Sequence, residues 1–192
     1  MKYLVFIFCM MNVLCHAQSK SFVYKSHKKQ SFNIHPSTEK LFHYIKMQKQ
    51  DVFLNTLFSS DDKIDKLTIP EDGFYELTAT FNFNPQTSLI KHNRGGLNFG
   101  IVQISEGNEQ YVAATRKSFD KDTEDVFSEI NLYPTIVYLQ KGVLVAPALT
   151  SGLLARVLVN SELGCDKKDK NCVTFQWSIK LISNEKSFQK YY

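Results

Sequence analysis

The sequence predicts an all-β protein: a jelly-roll β-sandwich of about ten antiparallel strands, preceded by a secretory signal peptide. Two observations predict the sandwich. Several stretches alternate apolar and polar residues, as half-buried strands do. Turn signals separate these stretches roughly every twelve residues, and at most one segment has helical spacing. Regular short strands with turns favour a sandwich over alternating strands and helices.

The clearest strand lies within residues 67–84, LTIPEDGFYELTATFNFN. A Pro70-Glu-Asp-Gly73 turn leads into a run whose apolar residues alternate: Tyr75, Leu77, Ala79, Phe81 and Phe83. A second alternating run precedes the C-terminus, with Val173, Phe175, Trp177, Ile179 and Leu181 on one face. These aromatic side chains are predicted to pack in the core of the sandwich.

The segment 37–49 is ambiguous. Leu41, Tyr44, Ile45 and Gln48 follow helical spacing after a Ser37 or Thr38 cap. The same segment contains Phe42-His-Tyr-Ile45, whose aromatic and β-branched residues favour a strand. Further along, Pro134 interrupts the strand-like run 126–139, which predicts an edge strand or a bulge there.

The first 17 of the 192 residues are typical of a secretory signal. Lys2 precedes an apolar run, residues 3–14, which is too short to span a bilayer, and small residues at Cys15 and Ala17 allow cleavage after Ala17. A membrane anchor and a lipoprotein acylated at Cys15 are the alternatives. The predicted division is therefore a signal peptide at 1–17, a lead-in at 18–40 and a jelly-roll domain at 41–192. The mature chain is predicted to be secreted, periplasmic or extracellular, without a transmembrane segment.

The charge of the chain argues against nucleic acid as a partner. Removal of residues 1–17 takes away only Lys2, which lowers the formal net charge of +4 by one. No Arg-rich stripe or alternation of basic and aromatic residues is present. The N-terminal lysines 20, 25, 28 and 29 indicate a solvated tail or, as the sharper alternative, a contact with an anionic surface or glycan.

Cys165 and Cys172 are the two cysteines left after signal removal. An even pair in an exported chain predicts a disulfide, which here would close the neck of an exposed hairpin loop. By the chain-entropy argument, this short loop contributes about 2–3 kcal/mol.

Motifs for catalysis are missing from the sequence, so we expect no enzyme and no required cofactor. It contains no HExxH, no G-x-S-x-G and no P-loop. The best candidate for a cation is a weak calcium site at Asp120, Asp122 and Glu124, where carboxylates alternate as hard cations prefer. A solvated charged loop is the alternative reading. Phe74, Tyr111 and Tyr133 are candidates for binding sugars or a partner, with core or subunit packing as the alternative.

The order of motifs resembles the jelly-roll superfamily that includes tumour necrosis factor and the globular head of complement component one-q. The residues Leu67-Thr-Ile-Pro-Glu-Asp-Gly-Phe-Tyr75 are similar to its Pro-x-x-Gly-x-Tyr turn motif, at Pro70, Gly73 and Tyr75. The passage Thr135–Val145 and the pair Thr174-Phe175 resemble later strands of that superfamily. Val143 departs from the pattern, which has Asp at this place, and no collagen-like stalk precedes the domain.

The resemblance implies a ten-stranded jelly roll that forms a homotrimer around an apolar axis and acts by recognition rather than catalysis. The first functional hypothesis is therefore a secreted, trimeric module that binds a protein or glycan through its loops. The second is a monomeric carbohydrate-binding module, with calcium as a potential cofactor. An enzyme on the same scaffold is the third, and it requires titratable groups that converge in one pocket.

Overall fold

The computed structural model describes residues 20–34, 41–58, 65–86, 94–120, 126–151, 158–166, 168–169 and 171–184. Within them lie twelve strands and one 3-10 helix, Lys49–Asp51. The strands are β1 Ser21–Ser26, β2 Gln30–Ile34, β3 His43–Tyr44, β4 Val52–Asn55, β5 Leu67–Thr68, β6 Gly73–Asn84, β7 Arg94–Ser105, β8 Asn108–Asp120, β9 Ser128–Leu139, β10 Leu144–Ser151, β11 Leu158–Leu163 and β12 Phe175–Ser183. The prediction of an all-β antiparallel sandwich is confirmed. The predicted signal peptide lies outside the described residues.

Two antiparallel sheets form the sandwich. The first sheet contains β4, β1, β12, β6 and β9 in that spatial order, with β11 and β2 attached at the far end of β6. The second sheet has the order β3, β10, β7, β8, with β5 also paired to β10. Strands β7 and β8 form a hairpin whose turn contains Glu106 and Gly107, both at positive φ. The residues Glu106-Gly107-Asn108-Glu109 predict this hairpin turn from the sequence alone.

The core lies between the inner faces of the two sheets. From Gly73 to Phe83 the residues of β6 alternate between buried and half-buried, and Tyr75, Leu77 and Phe81 are fully buried. Trp177 of β12 packs edge-on against Phe22 of β1, with ring centroids 5.6 Å apart. The predicted assignment of the β6 and β12 aromatic residues to the core is confirmed.

Residues of the predicted lead-in belong to the first sheet. β1 lies between β12 and β4, and β2 pairs with β11. Phe22, Tyr24 and Ile34 are buried in the main core. The sheet therefore continues across residue 41, where the sequence places the start of the domain.

The helical alternative for residues 37–49 is wrong over the described part, 41–49. This part is extended and contains the two-residue strand β3, and the 3-10 helix begins only at Lys49. Ile45 and Met47 enter the main core, while Phe42 and Tyr44 cover the outer face of the second sheet. Because both faces of this extended segment contact apolar surface, it lacks the polar alternation that marks a half-buried strand.

The run around Pro134 is an edge strand with an irregularity, as predicted. Within the described residues β9 pairs only with β6. The register between them shifts between Leu77 and Ala79, opposite Tyr133 and Pro134. An edge position tolerates proline because that residue cannot donate to a sheet ladder.

Candidate functional site

The Pro70–Tyr75 turn is stabilised by its own side chains and by the end of β12. The Tyr75 hydroxyl donates a hydrogen bond to the backbone oxygen of Glu71 over 2.7 Å. A Cβ atom on Gly73 would lie 2.7 Å from the backbone oxygen of Ser183, so only glycine fits without a shift of the backbone. Asp72 accepts a hydrogen bond from the backbone nitrogen of Lys141, which fixes the turn against the loop before β10. The geometry assigns this motif to folding, since its polar groups form bonds within the protein, including those from Lys20 and Asn184 to the Glu71 carboxylate.

The predicted disulfide between Cys165 and Cys172 is confirmed, with Cα atoms 5.9 Å apart. Asn82 of β6 contacts both sides of its loop. Its backbone nitrogen donates to Thr174, its backbone oxygen accepts from Gly164, and its Nδ2 lies 2.8 Å from Cys172 Sγ. These bonds hold the loop over the end of the first sheet.

The prediction that this disulfide closes a hairpin is wrong. Strands β11 and β12 do not pair with each other in the described chain. They instead follow one another along the same edge of β6: β11 pairs with Phe83 and Asn84, and β12 pairs with residues 74–81. The length of β6 allows both strands to share one edge, and the cystine loop joins them.

The outer face of the first sheet carries exposed hydrophobic side chains at both of its lateral edges. Tyr133 and Ile136 of β9 are 77% and 60% exposed, and Phe53 and Leu54 of β4 are 73% and 40% exposed. These are four of the seven large exposed hydrophobic residues in the described chain. Next to Ile136, the rings of Phe74 and Tyr138 make an edge contact with centroids 5.4 Å apart. We call the four residues at the β9 edge, Phe74, Tyr133, Ile136 and Tyr138, the apolar patch. Outward polar residues of β6 and β12, among them Thr78 and Gln176, separate this patch from Phe53 and Leu54.

A polar groove of about 370 Å³ lies on the same face, beside the disulfide. Its floor contains Thr80 and Asn82 of β6 and Gln176 of β12, and its walls contain Glu129 of β9 and Asp169 of the cystine loop, with Cys172 and Val173. Thr80 pairs directly with Asn131 and with Gln176, which places their side chains on one face. The position of Glu129 follows from its register opposite Asn82.

Two hydrogen bonds beside the groove form a chain of donors and acceptors from Thr80 to Glu129. Thr80 Oγ1 donates to Asn131 Oδ1 over 2.9 Å, and Asn131 Nδ2 donates to Glu129 Oε1 over 2.8 Å. Asn82 Nδ2 is directed at Cys172 Sγ. The Thr80 hydroxyl and one N–H of Asn82 are thus used within the protein, and the groove also contains the Gln176 amide, which has both donors and an acceptor.

The three aromatic candidates from the sequence occupy different surroundings. Tyr133 is exposed, and Phe74 is half-buried against Tyr138. Tyr111 lies on the outer face of the second sheet under Phe42, and its hydroxyl donates to the backbone oxygen of Asn98 over 3.0 Å. Burial raises the pKa of Tyr111. Tyr111 is therefore a packing residue, and Tyr133 and Phe74 belong to the apolar patch.

The three side chains of the predicted calcium site lie outside the described part of the structure. Asp122 and Glu124 lie outside the described residues, and Asp120 is described only by its backbone at the end of β8. The site stays a prediction. Among the described side chains, no group of three or more His, Cys, Asp and Glu residues is arranged to hold a metal ion.

Two further observations concern the class of protein. No helix in the described part of the chain is long and apolar enough to cross a membrane. Comparison of the chain with protein-family models and with curated proteins finds no match in either.

Sequence reasoning missed the groove. Its residues come from β6, β9, β12 and the cystine loop, and they are separated by up to about one hundred positions. The available signal was the row of polar residues between the buried ones of β6: Thr78, Thr80 and Asn82. A polar outward row is also what any solvated sheet face shows, so the pattern alone does not indicate a groove.

Proposed function

We propose that this protein is a secreted, non-catalytic recognition module of the complement one-q and tumour necrosis factor type. It assembles as a homotrimer through the outer face of the first sheet and binds a protein or glycan with its remaining surface and loops. The observation that carries this proposal is the apolar patch. Large hydrophobic side chains that lie together at one edge of a sheet face favour burial against another molecule.

A second copy of the chain is the proposed occupant of this face, for two reasons. The motif at Pro70, Gly73 and Tyr75 resembles that of a trimeric superfamily. Three residues of the patch, Phe74, Tyr133 and Tyr138, are also aromatic, and aromatic residues are enriched at protein–protein interfaces. Export is supported by the N-terminal 17 residues and by the disulfide, since disulfides persist in oxidising compartments.

The molar mass of residues 18–192, measured by light scattering on a size-exclusion column under oxidising conditions, tests the proposal. We expect about three times the monomer mass. Ile136→Glu places a charge in the patch and is expected to give a folded monomer. Leu41→Glu is the matched control, because Leu41 is also exposed, at 63%, but precedes β3 of the second sheet. A wild-type monomer at micromolar concentration would overturn the trimer.

The polar groove favours a second candidate function, a monomeric carbohydrate-binding module. Hydroxyl, amide and carboxylate groups such as Thr80, Gln176 and Glu129 are suited to hydrogen bonds with sugar hydroxyls. This candidate predicts a monomer in solution and a sugar that binds in the groove. Titration with neutral mono- and disaccharides, followed through the Gln176 side-chain amide by NMR, tests it.

A further inference from the structure

The outer face of the first sheet has two separate groups of exposed hydrophobic residues. The apolar patch lies at the β9 edge, and Phe53 and Leu54 lie at the opposite edge, on β4. We call Phe53 and Leu54 the β4-edge pair. The four steps between neighbouring strands from β4 to β9 place the two edges about 19 Å apart. The patch and the pair are therefore two different surfaces.

The two surfaces lie at the same level along the strands. One row of residues crosses the sheet from Leu54 through Val23, Ser178 and Thr78 to Tyr133 of the patch. The hydroxyl groups of Thr78 and Ser178 are 2.7 Å apart, which places both side chains on the outer face. Leu54 and Tyr133 are thus the two ends of one outward row.

A ring of three copies requires such a pair of surfaces. Around a three-fold axis, a surface of one protomer meets a different surface of the next, whereas a surface that meets its own copy forms a two-fold dimer. A contact between two surfaces at one level needs no displacement along the strands. A ring around an axis roughly parallel to the strands can then close, where a displaced contact would continue into a filament.

The charges beside the two surfaces have opposite signs. Lys25 lies at the β4 edge, with its ammonium 4.8 Å from the centroid of the Phe53 ring, and Glu129 lies on β9. Lys25 is on the same row as Asn131, whose amide donates to Glu129. The salt bridges of the described residues do not involve Lys25 or Glu129. A contact between the two edges therefore brings unlike charges together at nearly one level.

We propose that the apolar patch of one protomer packs against the β4-edge pair of the next protomer. The inference rests on the proposed trimer, since it names the two surfaces that meet. Each copy supplies the patch to one neighbour and the pair to the other, so both groups of exposed hydrophobic residues are buried. Lys25 of one copy then lies near Glu129 of the next.

Other pairings of the two surfaces fit less well. A contact of the patch with itself leaves Phe53 and Leu54 exposed and does not build a three-fold ring. A contact of the β4-edge pair with itself buries two hydrophobic side chains from each copy and brings two Lys25 ammonium groups together. Like charges at an interface oppose association.

Substitution at the β4 edge is the first test, with light scattering of residues 18–192 as the readout. Phe53→Glu is expected to lower the mass from about three times to about one times that of the monomer, as Ile136→Glu does. Leu54→Glu is the second variant at this edge, with the same expectation. Leu41→Glu is the matched control and keeps the mass of the wild type. Circular dichroism confirms that each variant retains the β-fold.

A mixture of two monomeric variants is the decisive test. Phe53→Glu keeps an intact patch, and Ile136→Glu keeps an intact β4-edge pair. An equal mixture at submillimolar concentration is expected to contain a dimer with one copy of each, at about twice the monomer mass, because one native contact is restored. Neither variant is expected to form a dimer alone. A mixture that remains monomeric overturns the proposal.

Failure of this pairing differs from failure of the trimer. A wild-type monomer overturns the assembly itself. A wild-type trimer in which Phe53→Glu and Leu54→Glu are also trimers leaves the assembly supported and overturns the role of the β4 edge. A wild-type dimer that Ile136→Glu dissociates and Phe53→Glu does not would show that the patch meets its own copy around a two-fold axis, against the pairing proposed above.

Discussion

The hydroxyl of Tyr75 donates a 2.7 Å hydrogen bond to the backbone oxygen of Glu71, four residues earlier in the chain. The tyrosine ring is fully buried between the sheets, so this bond connects the core to the turn that begins at Pro70. The Pro70–Tyr75 motif, whose sequence resembles that of a known superfamily, therefore has a local physical role. It closes the turn that leads into the central strand of the first sheet.

Tyr75→Phe removes this bond and keeps the ring. We expect a loss of about 1 kcal/mol in the free energy of unfolding, because the Glu71 carbonyl loses its partner while core packing is unchanged. Urea unfolding measures this loss in the free energy of unfolding. Tyr133→Phe is the control, since Tyr133 is 77% exposed, and it is expected to change stability by less than about 0.5 kcal/mol. Equal effects of the two substitutions would contradict this role for Tyr75.

Gly73→Ala is expected to destabilise the protein by about 1–3 kcal/mol, because the added methyl group would overlap its surroundings. The nearest atoms to a Cβ there are the backbone oxygen of Ser183 at 2.7 Å and Leu181 Cδ1 at 2.8 Å. The backbone contact cannot be relieved by a side-chain rotation. A double-mutant cycle with Leu181→Ala separates the contribution of the backbone contact from that of the leucine contact.

That cycle is expected to give a small coupling energy, since removal of the Leu181 side chain leaves the Ser183 oxygen in place. Full recovery of stability in the double variant would show instead that the leucine methyl is the atom that excludes a larger residue at position 73.

The disulfide is expected to contribute about 2–3 kcal/mol. The double variant Cys165→Ser, Cys172→Ser should lose this amount in urea unfolding. Reduction of the wild-type protein should produce a similar loss, and the reductant should not affect the double variant. A loss well below 1 kcal/mol would mean that the contacts of Asn82 hold the loop without the disulfide.

Met47→Leu is expected to cost about 1 kcal/mol, because the indole N–H of buried Trp177 loses its acceptor. Trp177 Nε1 lies 3.1 Å from Met47 Sδ, and leucine conserves the volume but offers no sulfur. Trp177 is the single tryptophan of the chain, so its fluorescence reports on this site directly. Unchanged stability and emission would show that the contact between Trp177 Nε1 and Met47 Sδ contributes little to the free energy of unfolding.

Alternation and turn chemistry predict the central strands well. The residues of β6 and β12 alternate because one face is buried and the other is solvated, and the sequence carries both halves of that pattern. Gly107 marks the β7–β8 turn for an equally local reason, its positive φ. These features depend on neighbours in the chain, so one sequence is sufficient to predict them.

Features that depend on distant residues could not be predicted in this way. Adjacent side chains of an extended segment point to opposite faces, so Ile45 enters the core and Tyr44 covers the second sheet. Because both residues are apolar, no alternation of apolar and polar residues marks this segment as a strand. The shared edge of β6 depends on the relative lengths of β6, β11 and β12. The groove requires the register of three strands, in which Asn82 lies opposite Glu129.

Alkaline pH is expected to destabilise the protein through its buried tyrosines. Burial, and next the negative charge of Glu71, raises the pKa of Tyr75 from 10.0 to about 12. Burial also raises the pKa of Tyr24, Tyr44 and Tyr111. A raised folded pKa means that the unfolded chain loses its proton first as pH rises, so the contribution of Tyr75 is complete below about pH 10 and declines from there to about pH 12.

Urea unfolding at a series of pH values measures this decline. The difference in stability between wild type and Tyr75→Phe is expected to be constant below about pH 10 and to shrink from pH 10 to pH 12, because phenylalanine has no proton to lose. The ultraviolet absorbance of tyrosinate, followed in parallel, shows whether the fold is still present when the buried tyrosines ionise. A difference that stays constant through pH 12 would show that Tyr75 ionises equally easily in the folded and unfolded chains.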